Sequence, residues 1–73
     1  MSRATCYLRA REWAQRSRRA IGMARSIEAY GMLIGPDWRQ KRAQAMTLAA
    51  EALAACLQWR EAGRLANQEV NSR

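Results

Sequence analysis

From Arg3 to Tyr30 the chain carries no proline and one internal glycine, Gly22. Across that segment Cys6, Ala10, Trp13, Ser17, Ala20, Ala24, Ile27 and Gly31 follow one another in steps of four and three. This is the spacing that keeps one stripe of a helix turned toward a partner helix. One sevenfold row of the stripe, Ala10, Ser17, Ala24 and Gly31, is small throughout. Small residues on every second turn let a neighbouring helix approach toward the short end of the usual range of about 8–10 Å. The other row, Cys6, Trp13, Ala20 and Ile27, supplies bulk.

A matching stripe lies in the second half. Pro36 interrupts the first pattern, and Asp37 with Gln40 three residues later reads as a helix start with its capping-box partner. Ala45, Ala49, Ala52, Cys56, Trp59, Gly63 and Ala66 then repeat the same steps. Two long helices joined by a short connection lie antiparallel. The expected fold is therefore all-α, an antiparallel two-helix hairpin forming one domain over residues 1–73. Helix one spans about 3–31, the turn 32–36, helix two about 37–67, and 68–73 form a fraying tail. Ser2 caps the first helix. In this register Cys6 meets Ala62 or Gly63, Trp13 meets Ala55 and Cys56, and Trp59 lies near Ala10.

The register also judges the two cysteines. Cys6 lies about six residues, or about 9 Å, along the axis from the level of Cys56. A disulfide needs Cα atoms within about 7 Å. Both thiols are expected to be buried and reduced, in keeping with a cytoplasmic setting. The opening residues, MSRATCYLRAREW, have no apolar core of a secretory signal, and no run of about 18 apolar residues is present to span a membrane.

At 73 residues a lone hairpin buries only about 60% of the surface its unfolded chain exposes. Helix two carries more apolar surface than one partner helix covers: Met46, Leu53 and Leu57 fall on one side of its stripe, Leu48 and Ala55 on the other. The expectation is a homodimer, a four-helix bundle with helix two central. The same surface docking on a different protein is the competing expectation.

Catalysis is not expected. The chain has no His, no Ser or Cys with a base beside it, and six acids scattered along its length. Gly31 and Gly35 follow no strand and precede no Gly-Lys-Ser/Thr, so they do not make a phosphate loop. Neither a cofactor nor a metal site is expected, since two cysteines fall short of the four ligands zinc takes.

The charge is better organised. The net charge is +7, and every basic residue except Lys41 is arginine. Guanidinium forks bind carboxylate and phosphate bidentately. Arg11, Arg18 and Arg25 recur every seven residues and form a row about 21 Å long on helix one. Arg39, Lys41 and Arg42 cluster at the start of helix two. The connection is apolar, with Met32, Leu33 and Ile34 fenced by Gly31 and Gly35. Gly31 reads as a left-handed helix stop, with Leu33 and Ile34 folded back as a lid beside Trp38. The alternative is a docking tip made of Met32, Leu33 and Trp38. Helices of this length on matched stripes leave no residues for a third, which excludes a helix-turn-helix reader.

Short, basic, helical chains without a catalytic set act by binding, and many are products of phages, plasmids or other mobile elements. The expected function is a small regulator that docks on a larger protein or protein–nucleic-acid complex and inhibits or redirects it. The basic face and the tip are its candidate contacts, and Met46, Leu53 and Leu57 its dimer or partner core. The alternative is a dimeric hairpin that binds RNA or DNA directly, without sequence preference.

Overall fold

The computed structural model describes residues 2–71, with side chains described for 2–66. Helix α1 (Arg3–Ala29) and helix α3 (Trp38–Asn71) lie antiparallel, with a single helical turn, α2 (Gly31–Ile34), between them. The pair forms a rod of 59 × 14 × 13 Å. Helix α1 begins where expected. Ser2 is in extended conformation and its hydroxyl accepts from the Thr5 N–H at 3.2 Å, filling one donor that the first turn leaves open.

The core is the two stripes. Cys6, Ala10, Ser17, Ala24 and Gly31 of the first half are buried against Ala45, Ala49, Ala52, Cys56 and Gly63 of the second. Trp13, Ala20, Ile27, Trp59 and Ala66 are half-buried at the edges. The register is the expected one: a Cβ placed on Gly63 would lie 3.3 Å from the Cys6 Cβ. Among the described residues nothing larger than Cys56 is fully enclosed. Side chains this short let the backbones close until a serine reaches across. Ser17 Oγ donates to the Ala49 carbonyl oxygen at 3.0 Å, a buried bond at mid-hairpin that fixes the sliding position of α1 on α3. Both cysteines are free thiols in the stripe.

The connection departs from expectation. Residues 32–34 are helical rather than a loop, because Met32 and Leu33 are good helix formers with no breaker before Gly35. The corner is hydrogen-bonded throughout. The Tyr30 carbonyl accepts from Leu33 and Ile34, and the Gly31 carbonyl from Gly35. Gly31 is not the left-handed stop. Tyr30 ends α1 at φ −114°, and the positive φ belongs to Gly35, at 133°. With ψ at 177°, this is a region open essentially to glycine alone. What Gly31 supplies is the absence of a side chain. A Cβ there would lie 2.6 Å from Cδ2 of Trp38. The indole is therefore what closes this end, and Leu33, expected in the lid, points away.

Asp37 precedes α3 and its carbonyl accepts from the Lys41 N–H, as a helix-capping residue does. Helix α3 continues to Asn71, beyond the expected end near 67. Of the tail expected to fray, Ser72 and Arg73 lie outside the described residues.

The glycines make the packing testable. Gly22 has open space where a Cβ would go. Gly22→Ala is expected to stabilise the protein by about 0.5–1 kcal/mol through helix propensity. Gly31→Ala is expected to cost about 1–3 kcal/mol, because the indole must shift. Urea denaturation at fixed protein concentration reads both, and equal effects at the two positions would contradict the close-packed corner.

Candidate functional site

The large apolar side chains that remain exposed lie outside the stripe. Met46, Leu53 and Leu57 are each about half exposed, as are Leu48 and Met23. The molecule's accessible surface is 5868 Å². A compact monomer of 8.3 kDa would expose about 4,600 Å², so this rod carries roughly 1,300 Å² more.

The tip is the most exposed apolar feature. Met32 is 97% exposed and Leu33 85%, whereas Ile34 is 38% exposed. Trp38, grouped with them from sequence, is half-buried over Gly31 and belongs to the structural closure. Its ring also carries the Arg39 guanidinium at 5.4 Å from the centroid. The tip is thus two side chains on a short hydrogen-bonded helical turn.

The six basic residues singled out from sequence divide into two groups. At the tip-proximal end, Arg42 lies 3.7 Å from Glu28 and Lys41 3.9 Å from Asp37, and Arg39 stacks on Trp38. These three cations are engaged within the protein. Arg11, Arg18 and Arg25 have no carboxylate partner among the described residues. Arg11 and Arg18 border a polar recess of about 360 Å³ between α1 and α3, together with Arg60, Gln15 and Tyr7. Arg60 was not among the residues selected from sequence. The signal for it was its place seven residues after Leu53 and fourteen after Met46, which puts it on the flank of α3 that faces the arginine row.

The opposite flank is apolar. Trp13, Ala20, Met23, Leu48, Ala52 and Ala55 border an open groove of about 430 Å³. The Arg16 guanidinium covers part of the Trp13 ring, 4.4 Å from its centroid. Consecutive residues therefore separate, with Arg18 on the polar recess and Arg19 on the apolar groove. The row Met46–Leu53 lies on the arginine side, and Leu48 lies across the stripe from it.

Near the far end, Arg64 Nε donates to Glu61 Oε2 at 3.0 Å. This hydrogen bond holds the Glu61 carboxyl below its ordinary value and raises Arg64. Both side chains are about half exposed, and the effect of the pair is to neutralise Glu61 locally. Among the described residues no group of three or more His, Cys, Asp or Glu side chains is placed to hold a metal ion, and no helix is long and apolar enough to cross a membrane.

No protein-family model matches the chain, and neither the curated proteins nor the solved structures include one similar to it.

The division between tip and closure has a measurable consequence. Met32→Ser together with Leu33→Ser is expected to change folding stability by no more than about 0.5 kcal/mol per site, the usual range for surface positions. Trp38→Ala is expected to cost about 2 kcal/mol or more, since it uncovers Gly31. Thermal unfolding followed by circular dichroism distinguishes them. A large loss from the double serine variant would mean that the tip is part of the core.

Proposed function

We propose that this chain is a small regulatory protein that acts by binding, docking its tip on a larger protein assembly that handles nucleic acid and inhibiting or redirecting it. The supporting observation is the exposure of Met32 and Leu33 on a hydrogen-bonded turn. Two adjacent apolar side chains held outward in this way expose area that folding did not remove from water, and burial in a partner's pocket recovers it. The arginines of α1 then meet acidic groups or the nucleic acid of that assembly. Mobile genetic elements commonly encode proteins of this size and build, and a cytoplasmic target suits two free thiols.

The working form in this reading is a homodimer, a four-helix bundle in which α3 is central. Its support is the row of half-exposed apolar side chains on each flank of α3, Met46, Leu53 and Leu57 on one and Leu48 on the other. Two copies joined through the groove at Met23 and Leu48 keep the rows Arg11, Arg18 and Arg25 apart and bring Arg16 and Arg19 together beside Glu51. Joining through the opposite flank brings Arg11, Arg18 and Arg60 together with no carboxylate in the recess they border, which opposes association more strongly. Met46, Leu53 and Leu57 then remain for the larger partner. Direct, sequence-independent binding of RNA or DNA is a second reading, favoured by the unpaired row Arg11, Arg18 and Arg25.

The docking reading is tested by capture from the producing cell's lysate, with and without nuclease, using the wild-type chain and the Met32→Ser, Leu33→Ser variant. A protein retained after nuclease treatment and lost with the variant is the expected outcome. Capture that vanishes with nuclease, or that ignores the tip, overturns it. For the dimer, light scattering on a gel-filtration column is expected to give twice the chain mass at tens of micromolar and a monomer for Leu48→Glu. A wild-type monomer at that concentration sinks the bundle.

A further inference from the structure

Four carboxylates of the described residues are used up locally: Glu12 by Arg9, Glu28 by Arg42, Asp37 by Lys41 and Glu61 by Arg64. Glu51 borders the apolar groove on the other flank. Among the described residues, the arginine side of the rod is consequently left without compensating charge. Arg11, Arg18 and Arg60, from two different helices, border one recess of about 360 Å³ whose floor includes Ala10 and Ala14. A recess of that volume, bordered by three guanidinium side chains, has room for a phosphate group.

We propose that this recess binds the phosphodiester backbone of single-stranded nucleic acid. The inference rests on the basic-face reading and is independent of the tip. Guanidinium groups match phosphate oxygens bidentately and stay charged at any physiological pH. Arg25 continues the line past the recess, so charge repeats about every 10 Å over about 21 Å of α1. A repeating line of charge suits a polymer whose own charge repeats whatever its sequence. A recess between two helices admits one strand, whereas a duplex touches such a rod only along its outer phosphates. The flank also offers bases something to lie on. The Tyr7 ring, about half exposed, stands at one end of the recess, and Leu53 and Met46 continue the row of Arg60 along α3. Aromatic and apolar contact of this kind is tolerant of base identity.

The test is fluorescence anisotropy of a labelled oligothymidylate with the purified full chain over a series of potassium chloride concentrations. With three to four phosphates neutralised, log K is expected to fall against log salt with a slope of about −2 to −3. Arg18→Gln is expected to weaken binding about fivefold at low salt and to make the slope shallower by about 0.7. Arg19→Gln removes the same charge one residue away on the other flank and is expected to leave both nearly unchanged. The Met32→Ser, Leu33→Ser variant is expected to bind as the wild type does, so failure of the tip reading and failure of this one are distinguishable. Circular dichroism and light scattering on each variant separate lost binding from lost fold. The proposal is overturned by absence of binding at low salt, by equal losses from Arg18→Gln and Arg19→Gln, by a duplex that binds tighter than the single strand, or by polyglutamate that competes as well as oligothymidylate at equal charge.

Discussion

The close approach of α1 and α3 on methyl-sized side chains sets everything else in this molecule. Because Ala10, Ala24, Ala45, Ala49 and Ala52 occupy the stripe, the helix backbones come near enough for the Ser17 hydroxyl to reach the Ala49 carbonyl. Because Gly31 has no side chain, Trp38 lies flat on the corner and closes it. The same economy of volume pushes the leucines and methionines outward. A conventional core would have absorbed Leu48, Leu53 and Leu57. Here they form rows on either flank, and the outside of the hairpin is as apolar in places as its inside.

Charge divides the rod along a different line. The tip-proximal cations are engaged by Glu28, Asp37 and the Trp38 ring, so the end that carries Met32 and Leu33 is apolar with its local charge largely paired. Arg11, Arg18, Arg25 and Arg60, which have no carboxylate partner among the described residues, lie along one flank, and Arg19, likewise without one, lies on the other. Exposed ion pairs of the kind seen at the tip add little to stability. Their larger effect is to decide where net positive potential remains. The apolar end and the basic flank thus occupy separate parts of the rod.

Much of this architecture was legible in the sequence because helical periodicity reports faces directly. The buried residues are those of the two stripes, and the register that sets Cys6 against Gly63 follows from their lengths and the short connection. The stripe reports less about what crosses it. It identified Arg11, Arg18 and Arg25 as a row, but Arg60 joins them through the antiparallel partner, and a one-dimensional period on α1 says nothing of α3. It grouped Arg39, Lys41 and Arg42 as one basic cluster, but Glu28, remote in sequence, faces Arg42 only once the chain has turned. The corner was the least legible part. Two glycines in five residues permit many paths, and which of them takes a positive φ depends on where the Trp38 ring settles. That is a tertiary contact, and the positive φ expected at Gly31 falls on Gly35 instead.

A core built from alanine, cysteine, serine and glycine also shapes how the fold responds to temperature. The heat capacity increment of unfolding scales with the apolar area that becomes hydrated, and typical domains show about 12–15 cal/mol/K per residue. Here the leucines and methionines are already half hydrated in the folded hairpin. Its own increment is therefore expected to be small and its stability curve shallow, changing little between cold and warm conditions. Covering the flanks with another protein surface adds the missing area and bends that curve. Were the chain to associate through these flanks, calorimetry of the free and the associated forms would read how much of the apolar exterior the association removes from water.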